Sequence, residues 1–310
     1  MQGARSCASL VPVVRAVDHL ALLRSAGLAP KKSFGQNFLV SDAVLARIAS
    51  ACVPDAEVHV ARVVEIGAGV GALTAALTDR AAHVTAVERD RDLVPLLARS
   101  MGESVSEGRL AVLEADAQAL DLAGLFSSAG SAGSPRVLAG NLPYQLTGQL
   151  LRLAVIQAGE VDRVVFMVQA EVAERLVASA STRSYGALTV FVRAAFDVRV
   201  LMEVPASAFV PPPNVSSAVV VLVPRRPPLA EETETFRAVV KAAFGTRRKT
   251  LRNAWRSLAP DLAHLEDAAR VAEVSLGARG ETLEVAAFAR MAAALDAAEA
   301  SAGCSSGRST

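Results

Sequence analysis

The fold turns on "VVEIGAGVGALTAAL", residues 63–77. Val63 to Ile66 reads as a buried strand, Ala72 to Arg80 as a helix, and Gly67, Gly69 and Gly71 sit between them. Glycines at that place let the backbone turn tightly and approach a ligand at the carboxyl edge of a sheet. Read as G-x-G-x-x-A (Gly67, Gly69, Ala72), the turn serves a dinucleotide. Read as E-x-G-x-G-x-G from Glu65, it suits S-adenosylmethionine. The glycines alone do not choose, because any tight strand-to-helix turn favours them.

Outward from this turn the chain alternates strand-like and helix-like segments. Strands are expected at His83 to Val87, Leu110 to Glu114, Val137 to Ala139 and Val164 to Val168. Helices are expected at Asp92 to Ser100 and Glu171 to Ser179. Such alternation predicts an α/β fold, a parallel sheet with helices on both faces. Leu188 to Val192 and Ser217 to Val223 read as further strands closing the sheet, both expected to be antiparallel. Ser127 to Pro135 is a small-residue spacer loop. Beyond Pro224 to Pro228 the pattern changes: Thr235 to Asp261 and Leu265 to Ala300 are helical in period. The expected division is an arm over 1–29, an α/β domain over 30–226, a smaller all-helical domain over 227–300 and a disordered tail over 301–310.

Composition limits the function classes. The 310 residues are 52% hydrophobic and 20% charged, which suits a globular chain with a sizeable core. A net charge of +1 means that any nucleic-acid contact must come from local clusters of base. Cys7, Cys52 and Cys304 form no ligand or disulfide spacing, so no metal is expected and a reducing compartment fits. No apolar run reaches the roughly 18 residues of a membrane span. Asp18 and a broken apolar stretch argue against a secretory leader, and an arm with a short helix around His19 to Ala26 is expected. The chain reads as cytoplasmic, with no membrane partner.

Three further strand ends carry polar groups. Glu88 closes the second strand, where a carboxylate can accept from both hydroxyls of a ribose. Asp116 closes the third, where it can meet an adenine amino group. Each alone would be explained as a helix cap; three consecutive strand ends together favour a nucleoside-bearing cofactor. The fourth end is "AGNLPYQL", residues 139–146. An exocyclic adenine amine is a poor nucleophile because its lone pair is delocalised into the ring. The side-chain oxygen of Asn141 and the carbonyl of Leu142 or Pro143 can accept its two protons, pyramidalising the nitrogen and exposing the lone pair to an electrophilic methyl. Pro143 fixes the turn, and Tyr144 offers a face for stacking. No general base need act first, since the amine grows more acidic as it gains the methyl.

Six motifs now stand in order: "PKKSFGQNFL" (30–39), the glycine turn (65–74), Asn141 to Tyr144, "VQAEVAERL" (168–176), "FVPPPNVSS" (209–217) and "RRKTLRN" (247–253). The chain resembles the ribosomal-RNA adenine dimethyltransferases, specifically their bacterial small-subunit (16S) branch, over about Leu22 to Ala289. The resemblance implies a Rossmann-like class I methyltransferase sheet and S-adenosylmethionine as cofactor. It also implies dimethylation of the N6 amines of two adjacent adenosines in 16S rRNA within the assembling 30S subunit. It places Asn37 and Leu39 on the cofactor from the arm, Gly67 against its methionine part, Glu88 on its ribose and Asp116 on its adenine. Asn141 would serve both cofactor and target amine, and Phe209 would flank the target base opposite Tyr144. Phe38 is left between core anchor and stacking platform. The "QLTGQ" that follows Tyr144 (145–149) departs from the family's usual pattern.

Between Arg237 and Arg256 lie Lys241, Arg247, Arg248, Lys249 and Arg252 with no Asp or Glu. With no counter-charge in the segment, Arg247, Arg248, Lys249 and Arg252 are read as RNA phosphate contacts. Trp255, spaced with Leu251 and Leu258, is read as core. No long heptad suggests an obligate oligomer, so a monomer is expected. The rivals are a 23S rRNA adenine methyltransferase of the macrolide-resistance type, a nicotinamide oxidoreductase, and a non-catalytic RNA-binding assembly factor. The oxidoreductase accounts for neither Tyr144 nor the basic segment. The presence of both Asn141 and Tyr144 speaks against lost catalysis.

Overall fold

The β-branched runs around the glycine turn assemble into one sheet. The structure, a computed structural model, describes residues 16–127, 133–246 and 248–306. Its strands are β1 (Phe38–Leu39), β2 (Arg62–Ile66), β3 (His83–Glu88), β4 (Leu110–Glu114), β5 (Arg136–Asn141), β6 (Arg163–Gln169), β7 (Phe196–Val204), β8 (Phe209–Val210) and β9 (Ser217–Pro224). Seven of them form a sheet in the order β4-β3-β2-β5-β6-β9-β7, while β1 and β8 pair as a separate antiparallel ribbon. Neighbours from β4 to β6 run parallel; β9 pairs antiparallel with both β6 and β7. Parallel strands need helical crossovers, which cover both faces.

The helices around the sheet are α1 (Ala16–Ser25) and α2 (Asp42–Cys52) before it, the crossovers α3 (Ala72–Thr78), α4 (Val94–Ser100), α5 (Gly102–Ser106), α6 (Leu122–Ser127) and α7 (Thr147–Ile156), then α8 (Ala170–Val177) and α9 (Ala187–Ala195). One face of the sheet packs on α2 and α3 through residues such as Ile48, Leu73 and Leu77. The other packs on α6, α7 and α9 through Phe126, Leu150, Leu151 and Val192. After β9 come α10 (Glu234–Gly245), α11 (Leu251–Ala254), α12 (Leu262–Val271) and α13 (Val285–Ser306). They enclose a third core around Phe236, Trp255 and Phe288. Trp255 is fully buried there, and its indole N–H donates to the Val239 carbonyl at 2.9 Å.

Several expectations are corrected. Leu188 to Val192 is not a strand but the middle of α9. That helix is buried on two sides, with Val192 and Ala195 facing the sheet and Val190 and Ala194 facing the third core. Leu188 to Val192 is a short run of apolar and β-branched residues, which by itself does not tell a strand from a buried helix. β7 has no counterpart among the expected strands. The long helical stretches are broken between α10 and α11 and between α12 and α13. The tail expected to be disordered continues α13 to Ser306, and residues 307–310 lie outside the described part. So do the first fifteen residues of the arm and 128–132 of the spacer loop. Among the described residues no helix is long and apolar enough to cross a membrane.

Candidate active site

The sheet order reverses between β2 and β5, and a crevice opens there at the carboxyl ends of the strands. Close approach is built into the sequence. A Cβ on Gly140 would stand 2.5 Å from the Ile66 carbonyl oxygen, so only glycine lets β5 lie against β2 at this level. The four polar strand ends consequently form a row, in the order Asp116, Glu88, the glycine turn and Asn141.

Gly67, Gly69 and Gly71 have φ of +72°, +59° and +93°, a left-handed path that side chains resist. The Gly69 N–H donates to Glu88 Oε2 at 2.7 Å, and the Asp90 N–H donates to Oε1 at 2.8 Å. Both carboxylate oxygens are thus fixed by backbone, each keeping a lone pair for a hydroxyl. Burial raises the Glu88 carboxyl above its ordinary range, while the Asp90 and Gly69 amides pull the other way. Deeper in, Glu65 is 1% exposed and accepts from the Thr74 hydroxyl at 2.6 Å. Burial, against that bond, pushes its carboxyl up to about 8, and Glu88 adds to the rise. Asp116 accepts from the Gln118 N–H at 3.0 Å and lies 3.7 Å from Arg89.

The arm closes one side. Lys31 Nζ pairs with Asp90 and Asp92, each at 2.6 Å, and the Gln36 amide donates to Asp90 at 2.8 Å. Burial alone would raise the Asp90 carboxyl, but Lys31 and Gln36 outweigh it and hold it low. Phe34 lies beneath Lys31 and Arg89, whose charges stand 5.5 and 6.0 Å from its ring centre. Sequence reasoning placed Glu65 only as the head of the glycine motif and assigned no individual role to Phe34, Lys31, Asp90 or Arg89. The lysine pair and the acids that follow Glu88 were the available signal, but their pairing spans about sixty residues of sequence.

At the fourth strand end the Asn141 side-chain nitrogen donates to the Asn37 carbonyl at 3.1 Å. This leaves its oxygen as the atom offered to a ligand. The Pro143 carbonyl is occupied by the Leu146 N–H at 2.9 Å and the Thr147 hydroxyl at 3.2 Å. Of the two carbonyls left open by the sequence, Pro143's is therefore taken up within the turn itself. The Tyr144 hydroxyl lies 2.9 Å from Ser217 Oγ, a fully buried partner that fixes the ring.

One solvent-open cleft of about 1330 Å3 runs along this row. It is lined by Asn37, Leu39, Gly67, Glu88, Asp116 and the whole turn from Asn141 to Tyr144. Phe209 is not in it. β8 pairs with β1 in the register Phe38 to Val210 and Leu39 to Phe209. Alternation along the ribbon turns Phe209 into the main core, where it is 2% exposed, and turns Phe38 toward the glycine turn. Of these two rings it is Phe38 that lines the cleft, where it packs against Gly69.

The basic segment divides too. Arg248 and Lys249 are exposed in the break between α10 and α11, whereas Arg252 pairs with Glu266 of α12. A counter-charge fourteen residues away was invisible in the local sequence. Arg247 lies outside the described residues.

Comparison with known proteins places the chain among relatives. Ribosomal RNA small subunit methyltransferase A of Anaeromyxobacter sp. (strain K) is 47% identical over 278 residues, spanning 87% of this chain and 95% of that protein. The solved 23S rRNA methyltransferase ErmE is 26% identical, with a TM-score of 0.60 over 84% of this chain and all of its own. A dimethyladenosine transferase from Plasmodium falciparum shares the fold at a TM-score of 0.70 and 22% identity, over 84% of this chain and 98% of its own. The model of the ribosomal RNA adenine dimethylases matches residues 27–296, and the chain belongs to that family.

Proposed function

We propose that this chain dimethylates the N6 amines of two adjacent adenosines near the 3′ end of 16S rRNA, taking the methyl groups from S-adenosylmethionine during assembly of the 30S subunit. One observation carries the reading. With its nitrogen held by the Asn37 carbonyl, Asn141 presents an oxygen, beside the free Leu142 carbonyl, at the strand end next to the glycine turn. Two acceptors on one rigid turn suit the two protons of an exocyclic amine. They draw its lone pair out of the ring, and they stabilise the positive charge that grows on nitrogen as the methyl arrives.

The residues fit the cofactor. Gly67 would lie against its methionine part, Glu88 would take the ribose hydroxyls and Asp116 the adenine, with Asn37 and Leu39 closing the arm side. S-adenosylmethionine supplies an electrophilic methyl on a sulfonium. Tyr144, steadied by Ser217, would stack on the target base, an interaction worth about 1–3 kcal/mol. Phe209 serves the core instead. Residues 30–226 would form the catalytic domain and 227–300 the RNA-binding one, with Arg247, Arg248 and Lys249 on phosphates. The partner would be the assembling small subunit in the bacterial cytoplasm, met by a monomer.

The test is mass spectrometry of adenosines after incubation with S-adenosylmethionine and either small-subunit or large-subunit RNA, naked or partly assembled. Dimethyladenosine in the small-subunit RNA alone is expected. Label in the large-subunit RNA would favour the second reading, to which the likeness to ErmE points. Asn141→Ala should lower the rate by about 10²-fold, the scale of losing one preorganised transition-state partner. An unchanged rate would overturn the mechanism.

A further inference from the structure

α1 touches the glycine turn in a way that the chemistry above does not use. His19 is 2% exposed, and its Nδ1 lies 2.9 Å from the Val70 carbonyl oxygen. A carbonyl only accepts, so Nδ1 carries the proton and Nε2 is the bare ring nitrogen. That Nε2 is buried without a hydrogen-bond partner. Leu20 and Leu23 pack in one cluster with Phe38 and Val70, and the Phe38 ring stands 3.2 Å from where a Cβ on Gly69 would sit. The imidazole itself is 3.6 Å from the corresponding point on Gly71. One ten-residue helix thus bears, directly or through Phe38, on three consecutive residues of the turn. It also precedes the segment, 27–296, matched by the family.

We propose that α1 is a clamp on the cofactor loop and that His19 is its positioning residue, holding the Val70 carbonyl while the ring is neutral. The inference rests on reading the cleft as the S-adenosylmethionine site. The turn is gripped from two sides: Glu88 takes the Gly69 N–H from within the cleft, and His19 takes the next residue's carbonyl from behind. Release of the second grip loosens the first, because the two groups flank one peptide unit and the residue after it.

Protonation works against the clamp through burial and not at Nδ1, which still donates in the charged ring: the cation is drawn out toward water. A proton on Nε2 would create a buried N–H with no acceptor, and burial already holds the His19 pKa below its ordinary value. The Val70 carbonyl, Asp18 on α1 and Asp42 at the head of α2 oppose that shift without overcoming it. The turn itself, residues 67–71, carries no ionisable side chain.

Two variants test this in the full chain without RNA. His19→Ala removes the donor. His19→Asn keeps an amide N–H near the position of Nδ1 and cannot titrate. S-adenosylmethionine affinity is read by calorimetry, and hydrogen exchange of residues 67–73 is read in the ligand-free chain. At neutral pH, His19→Ala should bind about tenfold more weakly, as expected for a buried carbonyl left unpaired, and its turn should exchange faster. His19→Asn should bind like the parent. As pH falls through the lowered His19 pKa, below the ordinary histidine range, the parent should lose up to about tenfold relative to His19→Asn; Glu88 titrates alike in both, so the ratio isolates His19. Parent-like binding and exchange in His19→Ala, or an unchanged ratio between parent and His19→Asn, would overturn the clamp. Absence of binding in every chain would instead overturn the reading of the cleft, and exchange would still decide the clamp.

Discussion

Tyr144 shows how a single hydrogen bond sets an aromatic face in the cleft. Its hydroxyl meets Ser217 at the start of β9, so the ring's tilt is set by a buried group on another strand rather than by the turn alone. Tyr144→Phe and Ser217→Ala each remove that bond and keep the aromatic face. Each should raise the KM for RNA by a few-fold, and the double variant should cost no more than either single one, because both delete the same bond. Additive losses would show that the bond does not orient the ring. Glu65 makes a second residue-scale test. Its folded pKa, about 8, lies far above the usual carboxylate value, so the folded chain holds a proton that the unfolded chain has released. The stability this gives is complete below the unfolded pKa and is lost as pH rises through about 8. In that window Glu65 alone should tilt the unfolding free energy by up to about 1.4 kcal/mol per pH unit. Glu65→Gln should flatten that slope in denaturant titrations; a slope unchanged by the substitution would remove Glu65 as its source.

At the scale of elements, the residue pattern is readable where one period dominates and unreadable where a distant partner decides. The strands ending at Glu88, Glu114 and Asn141 are legible because apolar runs stop at polar residues. α9 is not, because both of its faces are buried. Phe209 escapes sequence reasoning because a two-residue strand has no pattern of its own; only its register with Leu39 fixes which way it points. Arg252 escapes it because its acid lies on another helix. That last difference has a measurable consequence. If the break between α10 and α11 tracks an RNA backbone, Arg248→Ala and Lys249→Ala should each flatten the plot of log affinity against log salt. The change should be about 0.7–0.9 for each phosphate that is no longer neutralised. Arg252→Ala should change the slope less, since its guanidinium already faces Glu266. Equal slopes for all three would mean that the ion pair opens to release Arg252 to the RNA.

On the scale of the whole molecule, the two proposed domains share more than a linker. Proline and arginine punctuation at 224–228 points to a boundary, and the α/β sheet before it is largely legible in the residue pattern. Nothing in that pattern signals that the helical core continues back across the boundary. Tyr185, Val190 and Ala194 lie before it yet pack with Phe236, Trp255 and Phe288. The Tyr185 hydroxyl donates to the Leu283 carbonyl at 2.7 Å, and α9 serves two cores at once. An element buried on both sides cannot lose one neighbour without exposing apolar surface, so the units should unfold together. Calorimetry of the parent should show one transition. Phe288→Ala, which empties the centre of the third core, should cost about 3–5 kcal/mol and move the entire transition downward. Should the variant instead show an early helical transition followed by a sheet transition at the parent's temperature, α9 would not couple the cores, and the C-terminal helices would be an independent unit.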